Sequence, residues 1–146
     1  MKKTALAILI LLVGCTAGKS GDVKFSTLAH DEYALGITGR INEVYTAPVS
    51  FETFWKEIYR GADPIPKVPK VDFAEEMVIA VSPGEMPTGG YDAEIVRIID
   101  KDTKIEVTIL VTTPSGGSGT HALTQPHHII KLPKKNVPIV YKWIQQ

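Results

Sequence analysis

The sequence predicts an α+β domain, mainly β, in which an antiparallel, sandwich-like sheet packs against one amphipathic helix at about residues 50–60. Two observations predict this class. One segment carries aromatic residues at helical spacing. Most of the chain after residue 70 consists of apolar or alternating runs separated by turn residues, which is typical of an antiparallel sheet. We therefore expect one helix and several strands in a single domain.

The helix is predicted by large apolar side chains that recur every three or four residues, namely Phe51, Phe54, Trp55, Ile58 and Tyr59. Ser50 is a suitable N-cap, and Gly61 is placed to end the helix. A stripe of this kind normally faces a core. We therefore expect the helix to pack on the sheet.

The strands are predicted near residues 23–29, 41–46, 77–81, 91–99, 104–112, 128–132 and 137–144. Residues 77–81 form a continuous apolar run, which predicts a strand covered on both faces. Residues 104–112 alternate between apolar and polar side chains, so one face of that strand should be buried. It should pair with residues 91–99 as a hairpin around a turn at 100–103. A further turn at 133–136 separates the last two strands.

The N-terminus has the features of a secretion signal that ends in a lipidated cysteine. Two lysines precede an apolar or neutral run over residues 4–13, which is too short for a membrane span of ~20 residues. Leu12-Val13-Gly14-Cys15 resembles the lipobox of bacterial lipoproteins, in which small residues admit a peptidase and the thiol takes a diacylglycerol. Cys15 is the only cysteine in the chain. We predict lipidation of Cys15 and anchoring to a membrane through that lipid.

These features divide the chain into a signal peptide (1–14), a flexible tether (15–22) and one globular domain (23–146). The expected location is extracytoplasmic, and on the outer membrane in a cell with two membranes, because Thr16 rather than Asp follows the cysteine. Removing the two lysines of the signal from the 16 basic residues leaves 14 against 16 acidic ones, a net charge of −2. This balance argues against a nucleic-acid partner.

Two glycine-containing loops stand out, at residues 83–90 before the predicted hairpin and at residues 114–126 after it. Both lie at the end of the hairpin opposite its tight turn, so we expect them to be neighbours. Long irregular loops are often functional. Their glycines are equally consistent with turn formation and with close approach of a partner.

The histidines form no pattern typical of a metal site. His127 and His128 are neighbours in a predicted strand and point to opposite faces, so only one of them could join His121. No cysteine or closely spaced carboxylate completes a set of ligands. We therefore predict no metal, no cofactor and no catalytic residues, and expect these histidines at the surface or at a strand edge.

Several segments resemble the C-terminal domain of PrcB-type protease complex subunits. They are Val71-Asp72-Phe73, Met77-Val78-Ile79-Ala80, Pro87-Thr88-Gly89-Gly90-Tyr91 with Ile95, and Ala122-Leu123-Thr124-Gln125-Pro126 with the following His127-His128-Ile129-Ile130-Lys131-Leu132-Pro133. With the Trp55 helix, the resemblance covers roughly residues 45–143. The shared positions are glycine, proline and apolar residues, which define a fold better than an activity.

This resemblance implies a non-catalytic, membrane-tethered protein that binds a protease. Family members are typically lipoproteins or secreted proteins, and the namesake associates with a surface protease and supports its maturation or stability. The two loops would then contact the protease, through Pro87, Thr88, Gly89, Gly90, Tyr91, Gly116, Gly117, Ser118 and Thr124.

Two other functions remain open. Residues 87–91 also resemble the Pro-Thr-Thr-Gly-Tyr loop of chagasin-type inhibitors of cysteine peptidases, and residues 116–119 resemble their glycine-rich second loop. The chain departs from that family by having Gly89 for the second Thr, by its helix, and by lacking an Arg-Pro-aromatic third loop. The domain could instead bind a small ligand or the cell wall.

Overall fold

A computed structural model describes residues 20–115 and 122–146 as a β-sandwich with a helix on one outer face. The elements in chain order are β1 (Gly21–Asp22), β2 (Ser26–Asp31), β3 (Ile41–Tyr45), α1 (Pro48–Ile58), β4 (Glu76–Ser82), β5 (Asp92–Asp100), β6 (Ile105–Thr112), β7 (His127–Pro133) and β8 (Ile139–Gln145). The predicted class, mainly β with one helix, is confirmed. Cys15, Gly116, Gly117 and Ser118 lie outside the described residues.

The strands form two four-stranded sheets. Sheet A has the order β1-β5-β6-β8, and sheet B has the order β2-β7-β4-β3. The pairs are antiparallel except for β6 and β8, which run parallel with Ile105 opposite Ile139. This exception arises because β7 and β8 belong to different sheets. The turn at 133–136 therefore carries the chain from one sheet to the other and imposes no hairpin on these two strands.

The main core lies between the two sheets. Its buried residues come from β4, β5, β6 and β7, and are Met77, Ile79, Val81, Ile95, Ile98, Ile105, Val107, Ile109, Ile130 and Leu132. The alternate residues of β6 that were predicted to face inward are all buried. Each such side chain contributes roughly 1.5–3 kcal/mol when it leaves water.

A second core lies between sheet B and α1. Phe51, Trp55 and Ile58 of the helix are buried against residues of β4 and β7. The Trp55 indole Nε1 donates a hydrogen bond of 2.9 Å to the carbonyl of Pro66, which ties the helix to the proline-rich segment after it. Both faces of β4 are therefore covered, as the apolar run at 77–81 predicts.

The helix begins and ends two residues earlier than expected. Pro48 is its first residue, because the fixed φ of proline suits the first helical turn, and Ala47 rather than Ser50 is the N-cap. Ser50 lies within the first turn, where its hydroxyl donates to the Ala47 carbonyl at 3.1 Å. The helix ends at Ile58 instead of continuing to residue 60.

The last two residues of the predicted tether belong to the fold. Gly21 and Asp22 form β1 and lie opposite Asp100 and Ile99 of β5. The Asp22 carboxylate also accepts a hydrogen bond of 2.8 Å from Arg97 Nε. The chain therefore joins the sandwich at the end where the tight β5–β6 turn lies.

Replacing Phe51 by alanine should lower the free energy of unfolding by about 4 kcal/mol, since it leaves a cavity under the helix. The Phe51 ring lies 5.8–5.9 Å, between centroids, from the rings of Tyr45, Trp55 and Phe73. Val49→Ala is the control in the same helix. Val49 is 75% exposed, so its replacement should lower the free energy of unfolding by less than about 0.5 kcal/mol. Urea unfolding measures both, and equal losses would contradict the assigned packing of α1.

Candidate functional site: two paired loops at one end of the sandwich

The two predicted loops leave the sandwich at the same end. The 83–91 loop joins β4 to β5, and the 113–126 loop, described except for residues 116–121, joins β6 to β7. β4 and β7 are hydrogen-bonded neighbours, with Val81 opposite His128. The end of β4 and the start of β7 therefore lie side by side, which brings the two loops together.

Direct hydrogen bonds join the loops. Met86 and Thr124 form an antiparallel bridge, in which the Met86 N–H donates to the Thr124 carbonyl at 2.7 Å and the Thr124 N–H donates back at 3.0 Å. The Thr124 hydroxyl donates to the Thr88 carbonyl at 2.8 Å. The prediction that the loops are neighbours is confirmed.

The predicted contact residues differ in exposure. Pro87 and Gly90 are exposed, and Thr88 and Tyr91 are half-buried. Gly89 is buried, and so is Thr124, with a relative exposure of 0%. Because its hydroxyl is used within the chain, Thr124 positions the loops and presents no side chain to a partner. Gly116, Gly117 and Ser118 of the same predicted set lie outside the described residues.

The segment that carries both loops matches a known family. The family model described as PrcB C-terminal matches residues 77–133, from β4 to β7. Residues 77–133 are called the PrcB C-terminal segment below, after this match. The match confirms the resemblance over the centre of the range 45–143 in which it was expected. No curated protein and no solved structure matches the chain.

Buried polar groups anchor the loops of the PrcB C-terminal segment. The Ser82 hydroxyl donates to the Pro126 carbonyl at 2.7 Å and accepts from the Gly84 N–H at 3.0 Å. The Gln125 N–H donates to the Glu32 carbonyl at 2.7 Å, and its side-chain oxygen accepts from the Ala34 N–H at 3.3 Å. Buried hydrogen bonds of this kind are costly to break, so they hold both loops in one arrangement.

Two glycines in the 83–91 loop are needed for its backbone path. Gly84 and Gly90 have φ values of +101° and +86°, a region that other residues seldom adopt. A side chain on Gly90 would also approach the Pro114 Cβ to 3.0 Å, so this glycine allows the two loops to touch. At these two positions turn formation accounts for the glycine.

Two apolar residues beside the loop bridge are exposed. Pro87 directly follows Met86 and Leu123 directly precedes Thr124, so each lies one residue from the bridge. Leu123 is 56% exposed, and Pro87 is exposed as well. The sequence gives no signal for Leu123, because a single large apolar residue between Ala122 and Thr124 in a loop has no periodicity that distinguishes it.

A groove adjoins the PrcB C-terminal segment where the 83–91 loop meets the end of β8. It has a volume of about 190 Å³ and is lined by Arg40, Pro83, Met86, Val111, Trp143, Ile144 and Gln145. The Arg40 guanidinium lies 4.9 Å from the centre of the Trp143 ring, a cation–π contact. The aromatic ring of Trp143 and the positive charge of Arg40 therefore lie beside the 83–91 loop.

The histidines of β7 are buried, so the prediction of surface or strand-edge positions is wrong. His127 and His128 are 1% and 2% exposed, because β7 lies inside a sheet whose two faces are covered. They do point to opposite faces, as predicted. On the α1 side, His127 Nδ1 donates to the Gln125 carbonyl at 3.0 Å, and its Nε2 lies 3.2 Å from the Tyr59 hydroxyl.

His128 joins the two sheets. Its Nδ1 accepts a hydrogen bond of 2.9 Å from the Ile95 N–H of sheet A. Nδ1 is therefore unprotonated, and the proton on Nε2 is donated to the Thr27 hydroxyl at 2.8 Å. The ring also stacks on His30, with centroids 4.5 Å apart, and His30 Nε2 lies 2.7 Å from an Asp92 carboxylate oxygen. A cross-sheet bond of this kind requires a neutral imidazole.

Within residues 20–115 and 122–146, no group of three His, Cys, Asp or Glu side chains is placed to hold a metal ion. No helix in those two ranges is long and apolar enough to cross a membrane. What this end of the sandwich offers is a rigid, partly apolar surface formed by two loops.

Stability should fall between pH 6.5 and about 4. Burial, followed by the nearby charge of His30, lowers the pKa of His128 to about 4 in the folded chain, and Asp92 and His127 also face it. Burial lowers the pKa of His127 as well. The unfolded chain therefore binds more protons in this range, and the free energy of unfolding should be highest above pH 6.5 and drop by about 3 kcal/mol as the pH reaches 4.

His128→Asn provides the control, because an amide oxygen can accept the Ile95 N–H but does not titrate. Its unfolding free energy, measured by urea titration at each pH, should depend less on pH. A remainder is expected from His127 and, at the acid end, from the carboxyls of Asp22, Glu76, Asp100 and Glu106, whose pKa values are lowered by hydrogen bonds from Arg or Lys side chains. An unchanged pH dependence in this variant would show that His128 is not responsible.

Proposed function

We propose that this chain is a lipid-anchored, non-catalytic accessory subunit of an extracytoplasmic protease complex, and that the 83–91 and 113–126 loops contact the protease. The observation that carries this proposal is the match to the PrcB C-terminal family, which suggests a protein associated with a protease complex and which spans both loops.

The loops have the physical properties of a binding surface. Pro87 and Leu123 are exposed apolar residues on either side of the Met86–Thr124 bridge, and Thr88 and Tyr91 of the 83–91 loop are half-buried. Interfaces gain most of their affinity from a few apolar anchors within a polar rim. The Met86–Thr124 bridge orders these residues before a partner arrives, so less conformational entropy is lost on binding.

The start of β1, six residues after Cys15 in the chain, and the two loops lie at opposite ends of the sandwich. Gly21 lies opposite Asp100, at the far end of β5 from Asp92, where the 83–91 loop arrives. At about 3.3 Å per residue, β5 separates the two ends by roughly 25–30 Å. A chain from Cys15 to Gly21 reaches at most about 20 Å. A lipid on Cys15 would therefore hold the domain close to the membrane with its loops directed away, accessible to an extracytoplasmic protease.

Substitutions in the loops should weaken binding of the protease. Tagged full-length chain is recovered from gently solubilised envelopes, and co-purified proteins are identified by mass spectrometry. The native chain should retain a protease, whereas Thr88→Asp and Leu123→Asp should reduce its recovery at least about tenfold, because each places a charge in an apolar contact.

Matched controls make the same chemical change elsewhere. Thr103→Asp alters the β5–β6 turn at the opposite end, and Val49→Asp alters an exposed apolar residue of α1. Both should retain the protease. Equal recovery with all variants would show that the loops are not the contact, and enrichment of no protease would contradict the proposed function. A protease that is recovered but blocked by the native chain would indicate an inhibitor instead.

Cys15→Ser should abolish anchoring. A serine hydroxyl cannot form the thioether, so the variant should lose the mass of the attached lipid and move from the detergent phase to the aqueous phase of a Triton X-114 partition. Mass spectrometry of the N-terminal peptide measures the lipid directly. Detergent partitioning identical to that of the native chain would contradict a lipid anchor at this position.

A further inference from the structure

β8 is an edge strand without the usual protection against further pairing. It pairs with β6 on one side, and no described strand pairs with its other side. The other described edges are two-residue β1, β2 with a register shift, and five-residue β3 with a glutamate at its centre. β8 has seven residues, a single charged one, no proline and no bulge. Edges of this kind accept additional strands.

Two hydrogen bonds establish which backbone groups of β8 face outward. The Ile105 N–H donates to the Pro138 carbonyl at 2.9 Å, and the Gln146 N–H donates to the Val111 carbonyl at 2.9 Å. In a parallel pair, alternate residues of a strand bond to the same neighbour. Even-numbered residues of β8 therefore bond to β6. The N–H and C=O groups of Ile139, Tyr141, Trp143 and Gln145 point away from β6, toward the free edge.

The side chains on the outer face of β8 define the chemistry of an added strand. Val140 and Ile144 are 45% and 41% exposed, and Lys142 is exposed between them. Lys142 lies opposite Thr108 of β6. The hydrogen bond from Lys104 lowers the pKa of the neighbouring Glu106 carboxyl, and the charges of Lys104, Lys101 and Lys142 lower it further. The surroundings of this edge are thus more basic than acidic.

We propose that β8 accepts an extended segment of a protein partner as a fifth strand of sheet A, and that this segment carries an acidic residue flanked at i−2 and i+2 by apolar residues. The acidic residue lies opposite Lys142, and the apolar residues lie opposite Val140 and Ile144. Pairing with main-chain groups provides affinity, and the alternate side chains provide specificity.

A second copy of the chain fits this edge poorly. If β8 paired antiparallel with its own copy over its full length, Lys142 would lie directly opposite Lys142 of that copy, and like charges in this position are destabilising. An acidic partner removes that repulsion. The charge pattern therefore favours a different protein over self-association.

This inference uses the proposed function only in assuming a protein partner. Its test requires no protease, so its failure is distinguishable from failure of the loop contact. The probe is the peptide Thr-Val-Thr-Asp-Thr-Val-Thr with blocked ends, whose pattern is the same in both strand directions. It is added to the full chain in mild detergent, and amide exchange is followed by NMR.

Without peptide, the amides of Ile139, Tyr141, Trp143 and Gln145 should exchange rapidly, whereas those of the even-numbered residues are already slow. With saturating peptide, the odd-numbered amides should slow at least about tenfold. Unchanged exchange at these four amides would overturn the proposal. Protection that appears without peptide and grows with protein concentration would also overturn it, in favour of a second copy.

Charge reversal tests the stated chemistry. Lys142→Glu should weaken binding of the Asp peptide about tenfold. A peptide with Lys in place of Asp should bind this variant with the affinity that the Asp peptide has for the native chain. Gln145→Pro should weaken the binding of both peptides, because it removes an N–H group that points toward the free edge. Gln145→Ala keeps that N–H group and should leave binding unchanged. Equal binding of the Asp and Lys peptides to the native chain would refute an acidic partner.

Discussion

The pairing of β4 with β7 is the constraint on which the rest of the structure depends. The ladder runs from Glu76 opposite Pro133 to Val81 opposite His128. One face of it packs on sheet A and the other on α1, so both strands are buried over most of their length. Because the two strands are antiparallel, β4 ends where β7 begins. The β4–β5 and β6–β7 connections therefore both cross between the sheets at this end, and the paired loops follow from this arrangement.

The buried polar groups at this end of the sandwich mainly form hydrogen bonds that hold the β4–β5 and β6–β7 loops in place. Ser82 and Gln125 hold the bases of the loops, and Thr124 joins one loop to the other. His128 adds a bond from sheet B to sheet A just below them. The apolar cores provide most of the stability of the domain, so these buried hydrogen bonds act mainly to hold the loops in one conformation. The exposed parts of the loops are therefore presented on a fixed support.

Much of this fold was predictable from local patterns. The apolar run at 77–81 indicated a strand covered on both faces, and alternation in β6 indicated its buried side. Local patterns do not record which sheet a strand joins, so the parallel pairing of β8 and the burial of His127 and His128 were missed. The helix start was misplaced because Ser50 has the stronger capping propensity, whereas Pro48 determines where the turn begins.

The site was predictable to a similar degree. Two loops flanking one hairpin had to be neighbours, but the sequence could not show that Thr124 points inward while Leu123 points outward. That difference depends on the Met86–Thr124 bridge, which joins residues far apart in the chain.

Site-specific photo-cross-linking in intact envelopes tests most directly whether this loop pair meets a protease. A photoreactive residue at position 87 or 123 should form an adduct with a protease that mass spectrometry identifies, whereas one at position 103, at the opposite end, should not. Protease adducts at 103 alone, or adducts at 87 and 123 that contain no protease, would contradict the assignment of the loops as the contact surface.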